Sequence, residues 1–279
     1  MKIVVKILVS FWLIVTLHCD FLSQSRVSEA SLELWFIDVG QGDGALLHAP
    51  NEGDILIDLG PDSLATYAFL HEKGIDTLHT VIITHADYDH YAGFYAVAQH
   101  LFIKRIILPI DTSTEVSWSD LLALISEKKI PVESFYLGDT VELGEDIFLS
   151  FLWPIRSSQA EGNANSTVTR LSFGNSSALF TGDIEEKTEL RMLELNLRIE
   201  SEIIKISHHG SRSSSSLPFL SKVNPDWAII SCDSSVYGHP HKETLNGIKQ
   251  VNENIRVLRT DQAGHIGFEL FTNRIELLE

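Results

Sequence analysis

The chain has 279 residues, 44% of them hydrophobic, and its 21 basic and 38 acidic side chains give a formal net charge of −17. This length can bury a sizeable core without a disulfide or a structural metal. Such an acidic chain repels polyanions at long range. This negative charge counts against tight, non-specific binding to nucleic acid unless metal ions and a local basic patch compensate for it.

The first thirty residues have the pattern of a secretory signal peptide. Two lysines precede the apolar run 7–17, and Ser28 and Ala30 stand where a signal peptidase would cut. The run is shorter than the ~20 apolar residues that a membrane span needs, so an uncleaved anchor facing outward is the alternative. We therefore expect a cleaved leader over 1–30, one domain over 31–279, and a secreted or periplasmic protein.

After residue 30 the sequence offers no transmembrane bundle and one cysteine, Cys232. We expect no stable membrane span once the leader is removed, and no channel formed by this chain alone. Cys232 ends an apolar strand and is interpreted as a buried, inert thiol.

Beyond Leu32, short β-rich runs alternate with turn signals and amphipathic segments, without an internal repeat. The predicted strands are, in order, Leu34–Val39, Ala45–Ala49, Ile55–Leu59, Thr80–Thr84, Arg105–Leu108, Ile147–Trp153, Thr167–Phe173, Ala178–Phe180, Ile203–Ser207, Trp227–Ser231, Arg256–Arg259 and Ile266–Phe271. The predicted helices are Leu64–Glu72, Phe94–Leu101, Ser119–Glu127, Glu185–Leu195, Pro218–Val223 and Lys242–Val251. Strands cluster early and late with helices between, which predicts an α+β fold with two stacked sheets and helices outside, an αββα sandwich.

Polar clusters recur just past the predicted strand ends, where a rigid scaffold presents reactive side chains. The first cluster holds Asp38 and Asp43 around Gly40 and Gly42. This loop could bring its backbone close to a metal ion or a substrate, or it could simply be a glycine turn between two strands. The sequence leaves both interpretations open.

The most specific pattern is the segment His85-Ala86-Asp87-Tyr88-Asp89-His90, directly after the apolar run 81–83. Its two imidazoles and two carboxylates can point toward adjacent metal positions, because alternating side chains leave a tight loop on opposite sides. The alternative is a solvated acidic loop.

Two further strands end in candidate ligands, Asp183 after Gly182 and the pair His208-His209. Alone, Gly-Asp after a strand is usually a turn, and paired histidines are often a surface feature. Together, the three segments supply four histidines and three aspartates. That number is enough for two divalent ions with Asp183 as the bridge.

In their order along the chain, these motifs resemble the metallo-β-lactamase superfamily, and within it the hydrolase domain of ComEC-type DNA-uptake proteins. The matching segments are Asp38-Val39-Gly40-Gln41-Gly42-Asp43, Leu56-Ile57-Asp58, His85 to His90, Thr181-Gly182-Asp183, His208-His209-Gly210-Ser211, Tyr237-Gly238-His239-Pro240-His241 and Arg259-Thr260-Asp261. They span nearly all of the chain after the leader, so the joint match is far more specific than any single motif.

The resemblance implies a ligand set and its supporting residues. One ion would be held by His85 and Asp87, the other by Asp89, His90 and one of His208 and His209, with Asp183 bridging them. Asp58 corresponds to the carboxylate that orients the metal loop, and Asp38 and Asp43 are candidates for the same supporting role.

Two departures from the wider superfamily bear on the metal. Asp87 stands where the superfamily has histidine, and the segment 163–167 lacks a further histidine. ComEC-type sequences share both features. They imply a weaker first site that is richer in oxygen ligands, with zinc or manganese as the cofactor.

Candidate substrate residues follow the histidine pair and precede the last helix. Ser211 and Arg212 could clamp a phosphate, or they could belong to a solvated serine-rich loop. His239 could direct an imidazole at the leaving group, whereas His241 either assists it or simply starts the next helix.

The implied reaction is hydrolysis by hydroxide that metal ions generate from water. The residues expected to take part in catalysis are Asp183, Asp89, His239 and Arg212. The resemblance favours a phosphodiester substrate, DNA in particular, and Lys205 and Arg212 are the nearby basic residues that could meet an anion. The alternatives are a cell-wall choline-phosphate esterase, a lactonase or β-lactamase, and a non-catalytic metal-binding protein.

Overall fold

Two β-sheets lie face to face between two layers of helices in the computed structural model. The structure describes residues 30–49, 53–61, 64–109, 113, 115–156 and 162–278. The unit described below runs from Ser31 to Glu279, and the predicted leader, apart from Ala30, lies outside the described residues. Within the described ranges, no helix combines the length and the apolar character that crossing a membrane requires.

The strands, in chain order, are β1 Leu32–Phe36, β2 Gly44–Ala49, β3 Gly53–Leu59, β4 Thr77–Leu78, β5 Thr80–Ile82, β6 Phe102–Ile103, β7 Ile106–Ile107, β8 Val132–Glu133, β9 Thr140–Gly144, β10 Ile147–Trp153, β11 Val168–Phe173, β12 Ser176–Phe180, β13 Ile203–Lys205, β14 Trp227–Ile230, β15 Arg256–Arg259, β16 Ile266–Leu270 and β17 Ile275–Leu277. The first sheet has the order β17-β16-β1-β2-β3-β5-β7-β8, the second β15-β14-β13-β12-β11-β10-β9, and β4 pairs with β6.

The helices are α1 Ala65–Glu72, α2 Tyr88–Tyr91, α3 Phe94–His100, α4 Val116–Glu127, α5 Glu186–Glu194, α6 Leu217–Val223, α7 Lys242–Val251 and α8 Thr260–Ala263. Two 3₁₀ turns cover Gly162–Asn165 and Ser207–Gly210.

The period-two alternation of the strands builds the layer between the sheets. In β1, Leu34 and Phe36 face this layer, whereas Trp35 packs on the other side against the helices. Phe36 meets Phe180 of the second sheet with ring centroids 6.0 Å apart. A fully buried leucine or phenylalanine of this kind contributes about 1.5–3 kcal/mol to the free energy of unfolding.

The two outer layers close the sandwich. Phe69 of α1 and Phe94 of α3 cover the first sheet, and Phe219 of α6 and Ile248 of α7 cover the second. The predicted αββα sandwich is therefore confirmed.

Each of the twelve predicted strands has a counterpart, with ends that differ by a few residues. The prediction missed β4, β6, β8, β9 and β17, and the short helices α2 and α8. Two-residue strands carry too little alternation to be recognised. β9 did carry a signal, because Val141 and Leu143 are buried between exposed neighbours.

Candidate metal centre

The polar clusters gather where parallel strands end. Asp58 lies near the end of β3, and the loop 83–90 follows β5. Asp183 follows β12, and the turn 207–210 follows β13. β3 and β5 are parallel, as are β12 and β13, so each pair presents its carboxyl ends at one edge of its sheet. The contacts below show that the two edges meet.

Asp58 organises the loop that follows β5. Its Oδ1 accepts the backbone N–H of Thr84 at 2.8 Å, and its Oδ2 accepts the Thr84 hydroxyl at 2.7 Å. The same Oδ2 lies 2.8 Å from Nδ1 of His90. This contact favours a proton on Nδ1 and leaves Nε2 as a possible metal ligand. Asp58 has φ 56°, a left-handed conformation that is costly for a non-glycine residue and is often found at functional sites.

His209 is oriented in a similar way from the second sheet. Its Nδ1 lies 3.0 Å from the carbonyl oxygen of Ser231, to which it can donate. Its Nε2 is 3.2 Å from Oδ2 of Asp183 and 3.4 Å from Oδ2 of Asp89. The equivalent Nε2 of His208 is 3.9 Å from Asp183, and the sequence left the choice between the two histidines open. The geometry favours His209 as the ligand.

Asp183 lies at the centre of the cluster. Its Oδ2 is 3.4 Å from Nε2 of His90 and 3.2 Å from Nε2 of His209. The preceding Gly182 has φ 50°, and a Cβ there would lie 2.9 Å from Cβ of Ser166, so the turn that presents Asp183 requires glycine. The N–H of Asp183 donates to the Ser166 hydroxyl at 3.2 Å.

His85 and Asp87 extend the cluster to one side. The His85 ring is buried, with its centroid 4.1 Å from that of His90. Its Nε2 lies 3.4 Å from Oδ2 of Asp87, whose side chain is 51% exposed. The neighbouring imidazole of His85 lowers the pKa of Asp87. Asp87 therefore offers a carboxylate at the open side of the cluster.

The charges in the cluster attract cations. Burial is the largest influence on the pKa of His90 and lowers it, but Asp183 and Asp58 outweigh burial and hold the pKa well above its usual value. Burial likewise raises the pKa of Asp89, yet the nearby imidazole of His209 and the charge of His90 bring it down to about 2. The carboxylates thus stay ionised and available as ligands.

Several buried polar atoms at the cluster lack a hydrogen-bond partner, although such atoms are almost always satisfied in proteins. They are Nε2 of His85, His90 and His209, and Oδ1 of Asp43 and Asp183, the last of which meets the Lys205 ammonium only as an ion pair at 3.5 Å. Donor atoms within 4.8 Å of one another form the groups His85, His90 and Asp183, and Asp89, His90 and His209. Imidazole nitrogens and carboxylate oxygens in such groups are a donor set that zinc and manganese accept. The residues fit divalent ions.

Lys205, the last residue of β13, is a buried cation inside the cluster. Its side chain is 4% exposed, its Nζ donates to the carbonyl of Gly182 at 3.1 Å, and it forms an ion pair with Asp43. Burial is the largest influence on its pKa and lowers it, but Asp43 and Asp183 raise the pKa above its usual value. The expectation that Lys205 could meet an anionic substrate is therefore wrong. The available signal was one lysine in the otherwise apolar run 203–206.

Asp38 and Asp43, which the sequence placed together, have different positions. Asp43 is buried, and its approach depends on Gly42, where a Cβ would lie 2.3 Å from the carbonyl oxygen of Asp89. Asp38 is half-buried, and its Oδ1 accepts the N–H of Gly40 at 3.3 Å. Asp43 therefore supports the cluster, whereas Asp38 shapes the loop.

His208 and Ser211 point into a side network. Nδ1 of His208 lies 3.6 Å from Oε1 of Glu185, and that oxygen accepts the Ser213 hydroxyl at 2.7 Å. The Ser213 hydroxyl is 3.1 Å from that of Ser211. The hydroxyl predicted to clamp a phosphate is thus engaged within its own loop.

Arg212 and His241 lie beside this loop. The Arg212 side chain is exposed and lines a cleft with Ser216 and Gln250. The backbone N–H of Arg212 donates to Nδ1 of His241 at 3.1 Å, and His241 directly precedes helix α7 as its N-cap residue. Arg212 therefore lines this neighbouring cleft and lies outside the groups of metal donors, and His241 starts the helix.

His239 faces the histidine pair. Its ring centroid is 6.0 Å from that of His208 and 6.4 Å from that of His209, and its buried Nδ1 has no hydrogen-bond partner. Burial, followed by the neighbouring charge of His241, lowers the pKa of His239 to about 4. The imidazole is then neutral at pH 7, which favours donation of an N–H hydrogen bond over transfer of a proton.

Comparison with known proteins gives this arrangement a family. A sequence model described as the metallo-beta-lactamase superfamily matches residues 37–234. The chain belongs to the metallo-β-lactamase superfamily. The resemblance predicted from the motifs is confirmed, and with the donor cluster it indicates a metal-dependent hydrolase fold that binds divalent ions.

Two curated relatives match most of this chain. ComE operon protein 3 of Bacillus subtilis (strain 168) is 32% identical over 263 residues, which cover 87% of this chain and 33% of that protein. Competence protein ComA of Neisseria gonorrhoeae is 27% identical over 261 residues, which again cover 87% of this chain and 33% of that protein. The chain spans about a third of the length of the relatives it matches.

Among solved structures, the metallo-beta-lactamase fold protein YhfI from Bacillus subtilis aligns with a TM-score of 0.56 at 11% sequence identity. The alignment covers 86% of this chain and 100% of that one. At this identity the likeness supports the fold alone.

Proposed function

We propose that the chain is a secreted phosphodiesterase that hydrolyses DNA with two divalent ions, zinc or manganese. The observation that carries the proposal is the position of Asp183. Its Oδ2 lies within 3.4 Å of Nε2 of both His90 and His209, and donors stand on either side of it. A carboxylate between two donor groups suits a pair of ions, which in two-metal sites lie ~3.5–4 Å apart.

One ion would be held by Asp89, His90, His209 and Asp183, and the other by His85, Asp87 and Asp183. We expect the second ion to bind more weakly, because its group has one imidazole and the exposed carboxylate of Asp87. When bound, the ions supply Lewis acidity: they make water acidic enough to yield hydroxide at neutral pH and they attract the phosphate.

The chain's own residues provide orientation and further hydrogen bonds. Asp58 and the Ser231 carbonyl fix the rings of His90 and His209 so that both Nε2 atoms face the ions. His239 would donate an N–H to the phosphate or the leaving-group oxygen. Arg212, which lines the neighbouring cleft, would pair with a phosphate oxygen that the metal donors do not reach.

Three features support DNA as the substrate. The motifs resemble those of DNA-uptake proteins, and one curated relative is named a competence protein. Tyr88, between two ligands, and Tyr237, two residues before His239, are 58% and 67% exposed. Their rings could stack on unpaired bases, an interaction that tolerates any base sequence.

The alternatives use the same centre with a different substrate. A cell-wall choline-phosphate ester is smaller than DNA, which suits a chain with a net charge of −17. A lactone or a β-lactam would use the ions on a carbonyl group. A non-catalytic role is disfavoured because donors for both ions are present.

The deciding experiment is a substrate panel with the purified chain supplemented with zinc or manganese. The panel contains single- and double-stranded DNA, bis-p-nitrophenyl phosphate, p-nitrophenylphosphorylcholine and a β-lactam. We expect turnover of DNA and the diester that a chelator abolishes. Faster turnover of the phosphorylcholine ester or the β-lactam than of DNA would contradict DNA as the substrate and favour that substrate class instead.

Secretion is tested separately at the N-terminus. Export with cleavage between Ala30 and Ser31 predicts that N-terminal sequencing of the exported protein begins at Ser31. An intact N-terminus on protein recovered from the cytosol would contradict it.

A further inference from the structure

A buried ammonium lies directly behind the metal donors. Nζ of Lys205 is 3.5 Å from Oδ1 of Asp183, whereas Oδ2 of the same carboxylate faces the imidazoles of His90 and His209. Lysine is almost never fully buried unless it is paired, and burying an ion pair adds little stability over an apolar pair of similar size. The fold alone therefore gives no reason for a lysine at this position.

The contacts of Lys205 restrict it from three sides. Its ammonium forms an ion pair with Asp43, donates to the Gly182 carbonyl at 3.1 Å and approaches Oδ1 of Asp183. Gly182 immediately precedes Asp183, so the lysine holds both the backbone and the side chain of this turn. An ammonium held in this way fixes which of the two carboxylate oxygens turns inward.

We propose that Lys205 is a positioning residue that holds Oδ1 of Asp183, so that Oδ2 alone is presented to the two ions. The inference rests on the metal centre proposed above but not on its substrate. Lys205 touches neither the substrate nor the ions, and it acts through Asp183.

Formal charge is consistent with an ammonium at this position. The five aspartates of the cluster and the one ammonium have a charge of minus four, which two divalent ions neutralise. The five are Asp43, Asp58, Asp87, Asp89 and Asp183. Lysine thus adds a fixed contact to Asp183 and leaves the cluster matched to two ions.

A simpler role must be separated from positioning, namely that Lys205 only neutralises Asp43. Asp43 Oδ1 lies 3.3 Å from Nδ1 of His209, so an unpaired Asp43 could disturb that ligand. The variants Lys205→Met, Asp43→Asn and the double variant distinguish the two roles. The double variant removes one positive and one negative charge and leaves no buried charge of the pair unpaired.

The readouts are Co²⁺ affinity, measured by competition with a chelator, and the visible absorption spectrum of the Co²⁺ protein, which reports ligand geometry. We expect Lys205→Met and the double variant both to bind Co²⁺ at least about tenfold more weakly, with an altered spectrum. Asp43→Asn should have a smaller effect, because the lysine still holds Asp183. Lys222→Met, which removes a lysine paired with Glu200 on the surface, is the matched control and should leave both readouts unchanged.

Wild-type affinity and spectrum in the double variant would overturn the proposal, because Lys205 would then only balance Asp43. A crystal structure of the wild-type chain with Co²⁺ tests the inference even if the variants fail to fold. Coordination only through the Asp183 oxygen that faces His90 and His209 (Oδ2) supports the proposal. Coordination through the oxygen that contacts Lys205 (Oδ1) overturns it. Neither measurement depends on whether DNA is the substrate.

Discussion

Asp58 contributes to the centre without offering it a ligand atom. Its two oxygens accept three hydrogen bonds from Thr84 and His90. Asparagine has one acceptor oxygen and an NH₂ group that would face one of these donors. We therefore expect Asp58→Asn to weaken metal affinity about 10–100-fold, the usual effect of losing such a partner.

Asp54→Asn is the matched control for this prediction, because Asp54 lies on the same strand and pairs with His48 away from the metal donors. Isothermal titration with Zn²⁺ or Mn²⁺ measures both variants. Equal affinities for Asp58→Asn and the wild type would show that the loop is oriented without this carboxylate.

Arg212 lines the neighbouring cleft and is not a metal donor, so its substitution should separate substrate binding from metal binding. Arg212→Ala should leave metal content unchanged and lower kcat/KM on phosphodiesters by ~10–100-fold, the effect of losing one charged hydrogen bond. A carbonyl substrate should respond little, because it offers no second anionic oxygen to a guanidinium. The control is Arg198→Ala, which changes an exposed arginine lining a different cleft. Unchanged phosphodiester turnover in Arg212→Ala would remove the phosphate clamp.

The sequence predicted the residue types of the centre but not all of their positions. The loop 85–90 was recognisable because its ligands are adjacent in the chain. The choice of His209 over His208 depends on the left-handed backbone of both residues, φ 54° and 51°, which no local pattern indicates. Lys205 was assigned to the substrate because its partners, Asp43 and Asp183, are distant in sequence and meet only when the two sheets pack.

At the scale of elements, helix α5 holds the serine-rich loop that carries Arg212. Glu189 of α5 is buried and accepts the backbone N–H groups of Ser215 at 2.5 Å and Ser216 at 2.8 Å. Glu189→Ala would leave the buried N–H of Ser215 and the part-buried N–H of Ser216 without a partner. We expect the free energy of unfolding to fall by about 2–6 kcal/mol, at about 1–3 kcal/mol for each unsatisfied group.

Chemical denaturation measures this loss. Glu194→Ala on the same helix is the control, because its pair with Arg191 is exposed and should contribute less than about 1 kcal/mol. If both variants lose the same small amount, the loop is not held by Glu189.

The sequence predicted elements best where packing follows from the pattern itself. β10 carries a long apolar run, and in β11 apolar and polar residues are interspersed; both were identified. Helix α2 was missed because it has only four residues, Tyr88–Tyr91. Two of the four are candidate metal ligands, so the sequence indicated a metal-binding loop and not a helix. Short elements that support a site are specified by contacts across the fold.

At the scale of the whole molecule, the charge of −17 limits how a polyanion can bind. Each phosphate neutralised by a basic side chain steepens the salt dependence of binding by ~0.7–0.9 in log K per log salt. With Arg212 as the single clamp, we expect log KM on DNA to rise with log salt with a slope of about +1 between low and moderate NaCl at fixed metal concentration. A slope above about +4 would indicate a basic binding surface that the proposed site lacks.

The central claim is that phosphodiester hydrolysis depends on ions held by Asp183. The most direct measurement is turnover of a defined DNA oligonucleotide by the wild type and Asp183→Asn at saturating Zn²⁺ or Mn²⁺, with bound metal counted in the same samples. Asp76→Asn, an exposed aspartate outside the cluster, is the control. We expect the control to match the wild type, and Asp183→Asn to lose bound metal and more than about 100-fold of the turnover, a larger loss than for a supporting residue. Full metal content with wild-type turnover in Asp183→Asn would contradict the account.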